Sequence, residues 1–105
     1  MLFRYRKELK EIASKYTIKL YSRNGEEDLY IKVSDNCTFV VCMCDNRMDL
    51  TIEICGNQYN YNDCNKLTYN EKCRIADLFR TPYDNHVKLK QLSSMLSMII
   101  DERFV

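Results

Sequence analysis

Asn24-Gly25 constrains the fold of this chain more than any other pair of residues. Asparagine and glycine both tolerate positive φ, so the pair closes a two-residue type I′ hairpin. Folding there sets Leu20 opposite Leu29, Ile18 opposite Ile31 and Tyr16 opposite Val33. Thr17, Lys19, Tyr21, Asp28, Tyr30 and Lys32 fall on the other face. One register thus separates aliphatic from polar side chains on both arms of residues 16–33, as a half-buried sheet requires.

The flanking segments extend this hairpin in both directions. Tyr5, Leu9, Ile12 and Tyr16 recur at helical spacing, which predicts a helix over 2–15 that hands over directly to the first strand. Ser34-Asp35-Asn36-Cys37 is turn chemistry. A three-residue loop at 35–37 would set Phe39, Val41 and Met43 of a strand over 38–44 on the face of Leu29, Ile31 and Val33. After a turn at 45–48, residues 49–55 alternate strictly, with Leu50, Ile52 and Ile54 inward. Gly56-Asn57 suggests a type II′ turn into a fifth strand over 58–62, pairing Ile54 with Tyr59 and Ile52 with Tyr61. The alternative is an Asn/Tyr-rich loop to residue 67.

Thr68-Tyr69-Asn70-Glu71 reads as a capping box opening a second helix. Thr81-Pro82 restarts a third, with Thr81 as N-cap and Pro82 in the first turn, running to about residue 103 with Leu89, Leu92, Met95, Leu96 and Ile99 as its stripe. The expected fold is therefore α+β, a single domain over 1–105. It has an N-terminal helix, an antiparallel β-meander of four or five strands, and two C-terminal helices. If all three helices cover the Ile/Leu/Val face, the opposite face is bare. If they divide between faces, Val40, Cys42 and Cys44 are buried.

Composition bounds the function classes. With 46% apolar and 30% charged residues the chain suits a folded domain rather than a disordered one. No apolar run is long enough to cross a membrane as a helix, and residues 1–10 lack the apolar core of a signal peptide, so the expected location is the cytoplasm. The six cysteines are then expected as reduced thiols. No CxxC pair and no HxxxH occurs, and His86 is the single histidine, so neither a metal site nor a cofactor is expected. A catalytic thiol needs a base, and nothing in the sequence pins His86 near one. No acid–base pair is visible either, so the chain is not expected to be an enzyme.

The charges separate along the chain, basic over 1–23 and acidic over 24–63. Two surfaces follow. Glu26, Glu27, Asp28 and Asp35 crowd at strand ends, where carboxylates on rigid hairpins can occupy a basic groove built for nucleic acid. Arg4, Lys7 and Lys10 on the first helix, with Lys19, Tyr21, Tyr30 and Lys32 on the sheet, suit nucleic-acid binding instead.

Read in order, Glu11-Ile12, Lys15-Tyr16-Thr17-Ile18-Lys19-Leu20 and Leu29-Tyr30-Ile31-Lys32-Val33-Ser34-Asp35 resemble the start of a family of small phage anti-CRISPR proteins. These block the RNA-guided nuclease of type II CRISPR systems. The resemblance covers about residues 9–43 and implies the same helix, meander and two-helix layout. It also implies a partner-binding role for Asp35, at a strand turn where an acid contacts the nuclease, and for Tyr16, at the helix-to-strand junction. Residues 64–105 are slightly basic, where that family is acidic. The richness in Asn, Lys, Ile and Tyr is similar to that of proteins from A/T-rich genomes, as many phages have. The expected function is a non-enzymatic, phage or mobile-element inhibitor that binds a host protein, such as an RNA-guided CRISPR nuclease, as a DNA mimic through its acidic hairpin loops. The alternative is a small nucleic-acid-binding protein.

Overall fold

A computed structural model of the chain describes residues 5–45 and 47–105. Helix α1 (Arg6–Ala13) leads into strands β1 (Thr17–Arg23), β2 (Glu26–Ser34), β3 (Cys37–Cys44), β4 (Arg47–Ile54) and β5 (Asn57–Asn60). A 3₁₀ turn (Tyr61–Asp63), helices α2 (Tyr69–Phe79) and α3 (Asn85–Ile99), and a last 3₁₀ turn (Glu102–Phe104) follow. The strands form one antiparallel sheet in chain order, β1-β2-β3-β4-β5, so the α+β helix–meander–two-helix layout holds.

The first hairpin has the expected register, Leu20 opposite Leu29 and Ile18 opposite Ile31. Asn24 and Gly25 have φ of 50° and 80°, positive at both central positions as a type I′ turn demands. The later turns are tighter than expected. Only Asp35 and Asn36 separate β2 from β3, and an irregularity between Lys32 and Ser34 absorbs the extra residue, so Phe39 still faces Ile31 and Val41 faces Leu29. Arg47 and Met48 belong to β4, opposite Cys44 and Met43.

The fifth strand exists, but its turn is centred on Cys55-Gly56 rather than Gly56-Asn57. Cys55 takes φ 51° and Gly56 φ 83°, so glycine fills the second central position, as Gly25 does in the first hairpin. The Cys55 N–H donates to the Asn36 carbonyl at 2.9 Å, tying two turns together. The register moves accordingly: Ile52 faces Tyr59 and Ile54 faces Asn57.

The capping box is present, with Thr68 Oγ1 accepting from the Glu71 N–H and Glu71 Oε1 from the Thr68 N–H. The start of α3 differs from expectation. Asp84, not Thr81, is its N-cap, accepting from the Val87 N–H at 3.0 Å. Thr81 instead donates its hydroxyl to the Leu78 carbonyl at the end of α2. Helix α3 stops at Ile99.

All three helices pack on one face of the sheet. Leu9 and Ile12 of α1, Ile75 and Leu78 of α2, and Leu89, Leu92, Leu96 and Ile99 of α3 form one core with the inward side chains of the strands. Leu29, Ile31, Phe39, Val41, Leu50 and Ile52 are fully enclosed there. Burying each such side chain contributes about 1.5–3 kcal/mol. The opposite face has no helix over it among the described residues.

Candidate functional site: the open face of the sheet

Strand pairing builds this face in four cross-strand rows. Thr17, Lys32, Thr38 and Glu53 share the first, ending at Gln58. Lys19, Tyr30, Val40 and Thr51 share the second, ending at Asn60. Tyr21, Asp28, Cys42 and Asp49 form the third. Arg23, Glu26, Cys44 and Arg47 form the fourth. Over β1 and β2 the face curves into an open trough of about 740 Å³, lined by Lys19, Tyr21, Tyr30 and Lys32 and, toward the first hairpin turn, by Glu26 and Asp28.

Two tyrosines anchor the trough. Tyr21 and Tyr30 meet edge to face with ring centroids 5.2 Å apart, yet both stay exposed. Val40 beside them is buried though it is outside the main core. Cys42 lies between Asp28 and Asp49 in its row. Burial, and then the charges of Asp28, Asp49 and Glu26, push its thiol up to about 11, so it stays protonated at neutral pH. Asp49 is itself held by the Asn60 side-chain amide at 3.0 and 3.1 Å.

The acidic hairpin loops do not form one surface. Glu26 and Asp28 point to the open face, but Glu27, between them, points to the helices and is only 8% exposed. Successive side chains on a strand take opposite faces, so three consecutive acids cannot share one. Glu27 accepts from the Tyr5 hydroxyl at 3.3 Å. Asp35 is fully exposed at the other end of β2, about 25–30 Å away along the strand, with its carboxylate 3.8 Å from the Lys32 ammonium. Tyr16 is half-buried and packs against the core at the junction of α1 and β1.

The basic surface is divided as well. Lys19, Tyr21, Tyr30 and Lys32 line the trough. Lys7 and Lys10 line a shallow groove with Lys90 between α1 and α3, in the helix layer behind the sheet. Arg4 lies outside the described residues.

The contribution of Arg23 and Arg47 to the open face was not apparent from sequence; Val40 was placed on that face, but its burial there without a helix over it was not. Lys88, buried in α3 with its ammonium donating to the Phe79 carbonyl at 3.3 Å, was also missed. His86 sits 2.9 Å from Glu8 and 4.7 Å from the Tyr5 ring, on the helix side, away from Cys42 and Cys44. All six cysteines are free thiols. Among the described residues no three His, Cys, Asp or Glu side chains gather as metal ligands would, and no helix is long and apolar enough to cross a membrane. No known protein family, curated protein or solved structure matches the chain.

Proposed function

We propose that the protein is a non-enzymatic protein-binding module, phage or mobile-element encoded, that docks on a host nucleic-acid enzyme in the host cytoplasm through the open face of its sheet. One observation carries the reading: the charges of that face balance. Lys19, Lys32, Arg23 and Arg47 are interleaved with Glu26, Asp28, Asp49 and Glu53. A phosphate backbone laid across it would meet a carboxylate for each cation, whereas a protein surface can answer both signs. Exposed tyrosines with arginines at the rim are also the side chains that protein interfaces favour. The resemblance over residues 9–43 spans β1, β2 and most of β3, and it makes an RNA-guided CRISPR nuclease the first partner to test.

The test is capture of such a nuclease, followed by affinity measurement on variants. Tyr30→Ala, and separately Glu26→Ser with Asp28→Ser, are expected to weaken binding at least about tenfold, or about 1.4 kcal/mol, with the thermal midpoint unchanged. Asp35→Ser, at the strand turn where the resemblance implies a contact, is expected to weaken it as well, and Lys7→Glu to leave it alone. Equal affinity for all four variants would remove the open face from the reading. Glu27 is left intact because its burial would turn a binding test into a folding test.

The pairing of Lys19 with Tyr30 beside Lys32 favours a second reading, single-stranded nucleic acid stacked on the tyrosines. Lys19→Glu with Lys32→Glu would then abolish binding of a labelled oligonucleotide and flatten its salt dependence, while Glu26→Ser with Asp28→Ser would tighten it.

A further inference from the structure

The two edges of the sheet are unequal. β5 is four residues long and leads straight into the 3₁₀ turn at Tyr61. β1 is seven residues long and, among the described residues, has a neighbour on one side only. In a two-residue hairpin the pair flanking the turn, here Arg23 and Glu26, is hydrogen-bonded across the strands. Alternation from that pair turns the N–H and C=O groups of Arg23, Tyr21, Lys19 and Thr17 toward β2. The same groups of Ser22, Leu20 and Ile18 point outward, and no hydrogen bond from another described residue reaches them. Natural sheets blunt long edges with a proline, a bulge, a short strand or charged side chains; β1 has only the last of these, Lys19 and Arg23, so its edge can pair where a register keeps those charges apart.

We infer that β1 pairs antiparallel with β1 of a second copy of this chain, about a two-fold axis through Leu20, making a continuous ten-stranded sheet. Register selects this alignment. Outward groups must meet outward groups, which restricts the symmetric alignments to steps of two residues. With Leu20 opposite its own copy, all seven residues pair, and Ser22 meets Ile18. On the open face Lys19 meets Tyr21 and Thr17 meets Arg23, so each cation faces an uncharged side chain. One step in one direction puts Lys19 opposite Lys19. One step in the other puts Lys19 opposite Arg23. Like charges directly opposite are destabilising, so the central alignment is the one that uses the whole strand and avoids repulsion. It forms about six hydrogen bonds. The two-fold axis stands perpendicular to the sheet, so both open faces look the same way and the two troughs join across Lys19 and Tyr21. The inference concerns the edge of the sheet and does not depend on what the open face binds.

Sedimentation equilibrium from about 10 μM to about 1 mM is expected to give twice the 12.6 kDa chain mass at the upper end. A monomer throughout would overturn the inference. Ser22→Pro removes an outward N–H and spares the ladder to β2, so it is expected to give a monomer whose thermal midpoint matches that of wild type diluted to where it is itself monomeric. A dimer that survives Ser22→Pro would place the contact elsewhere and also overturn it. The double variant Thr17→Cys, Arg23→Cys tests the register without relying on proline. These positions are too far apart to bridge within one strand, but opposite each other between copies they form a pair with Cα atoms about 4.5 Å apart, which accepts a disulfide. Oxidation is expected to yield a covalent dimer whose linked peptides join position 17 to position 23. Absence of that linkage, with the variant folded, would refute the alignment.

Discussion

Gly25 has φ +80°, and nothing lies within 4 Å of where a Cβ would stand. A side chain there meets only backbone strain, with no clash. Gly25→Val should therefore lower stability by about 1–2 kcal/mol, and an unchanged midpoint in chemical denaturation would show that the turn does not need positive φ. Gly25 was legible because Asn-Gly is a local signal that no distant contact has to complete. Cys55 was not. It takes φ 51° in a turn of the same kind, but cysteine carries no preference for that conformation, so Gly56 pointed one residue too far along. Glu27 was misread for another reason. Three adjacent acids look like a cluster in the sequence, while the pleat sends the middle one into the helix layer beneath Tyr5.

Between elements, a bidentate ion pair joins α2 to the last 3₁₀ turn. The Arg103 guanidinium donates to both Glu71 oxygens, at 2.8 and 2.9 Å, and also to the Ile99 and Lys66 carbonyls. Glu71 thus serves the cap of α2 and the C-terminal turn together. Arg103 holds its carboxyl well below the ordinary 4.5, at about 2, and the Thr68 N–H helps. A carboxylate with a depressed folded-state pKa stabilises the protein fully above its unfolded value and loses that contribution as pH falls. The stability difference between wild type and Glu71→Gln should accordingly be constant above about pH 5 and shrink from there to about pH 2. A difference that stays constant across that range would mean the pair does not couple to folding. The capping box itself was legible from Thr68 and Glu71, but its partner 32 residues away was not, since no local pattern announces Arg103. The start of α3 failed where two caps compete three residues apart, and Asp84, with its carboxylate on the Val87 N–H, won over Thr81.

For the molecule as a whole, the layout was legible because period-two alternation survives small errors in turn placement: a register that moves by two residues keeps every side chain on its face. The choice between one covered face and two was not, because both faces of residues 39–43 are apolar enough to be buried. That choice decided the candidate site, since a helix over the second face would have closed the trough. The sheet order β1-β2-β3-β4-β5 follows the chain without a crossover, which keeps loop closures short. Refolding is expected to be a single exponential in the millisecond range, and a dominant phase of seconds would argue against meander-by-meander assembly. The same order has a meaning during synthesis. Each strand emerges beside the one made just before it, so a growing sheet has two edges, the newest strand and β1, and among the described residues β1 stays uncovered from the first hairpin to the finished chain.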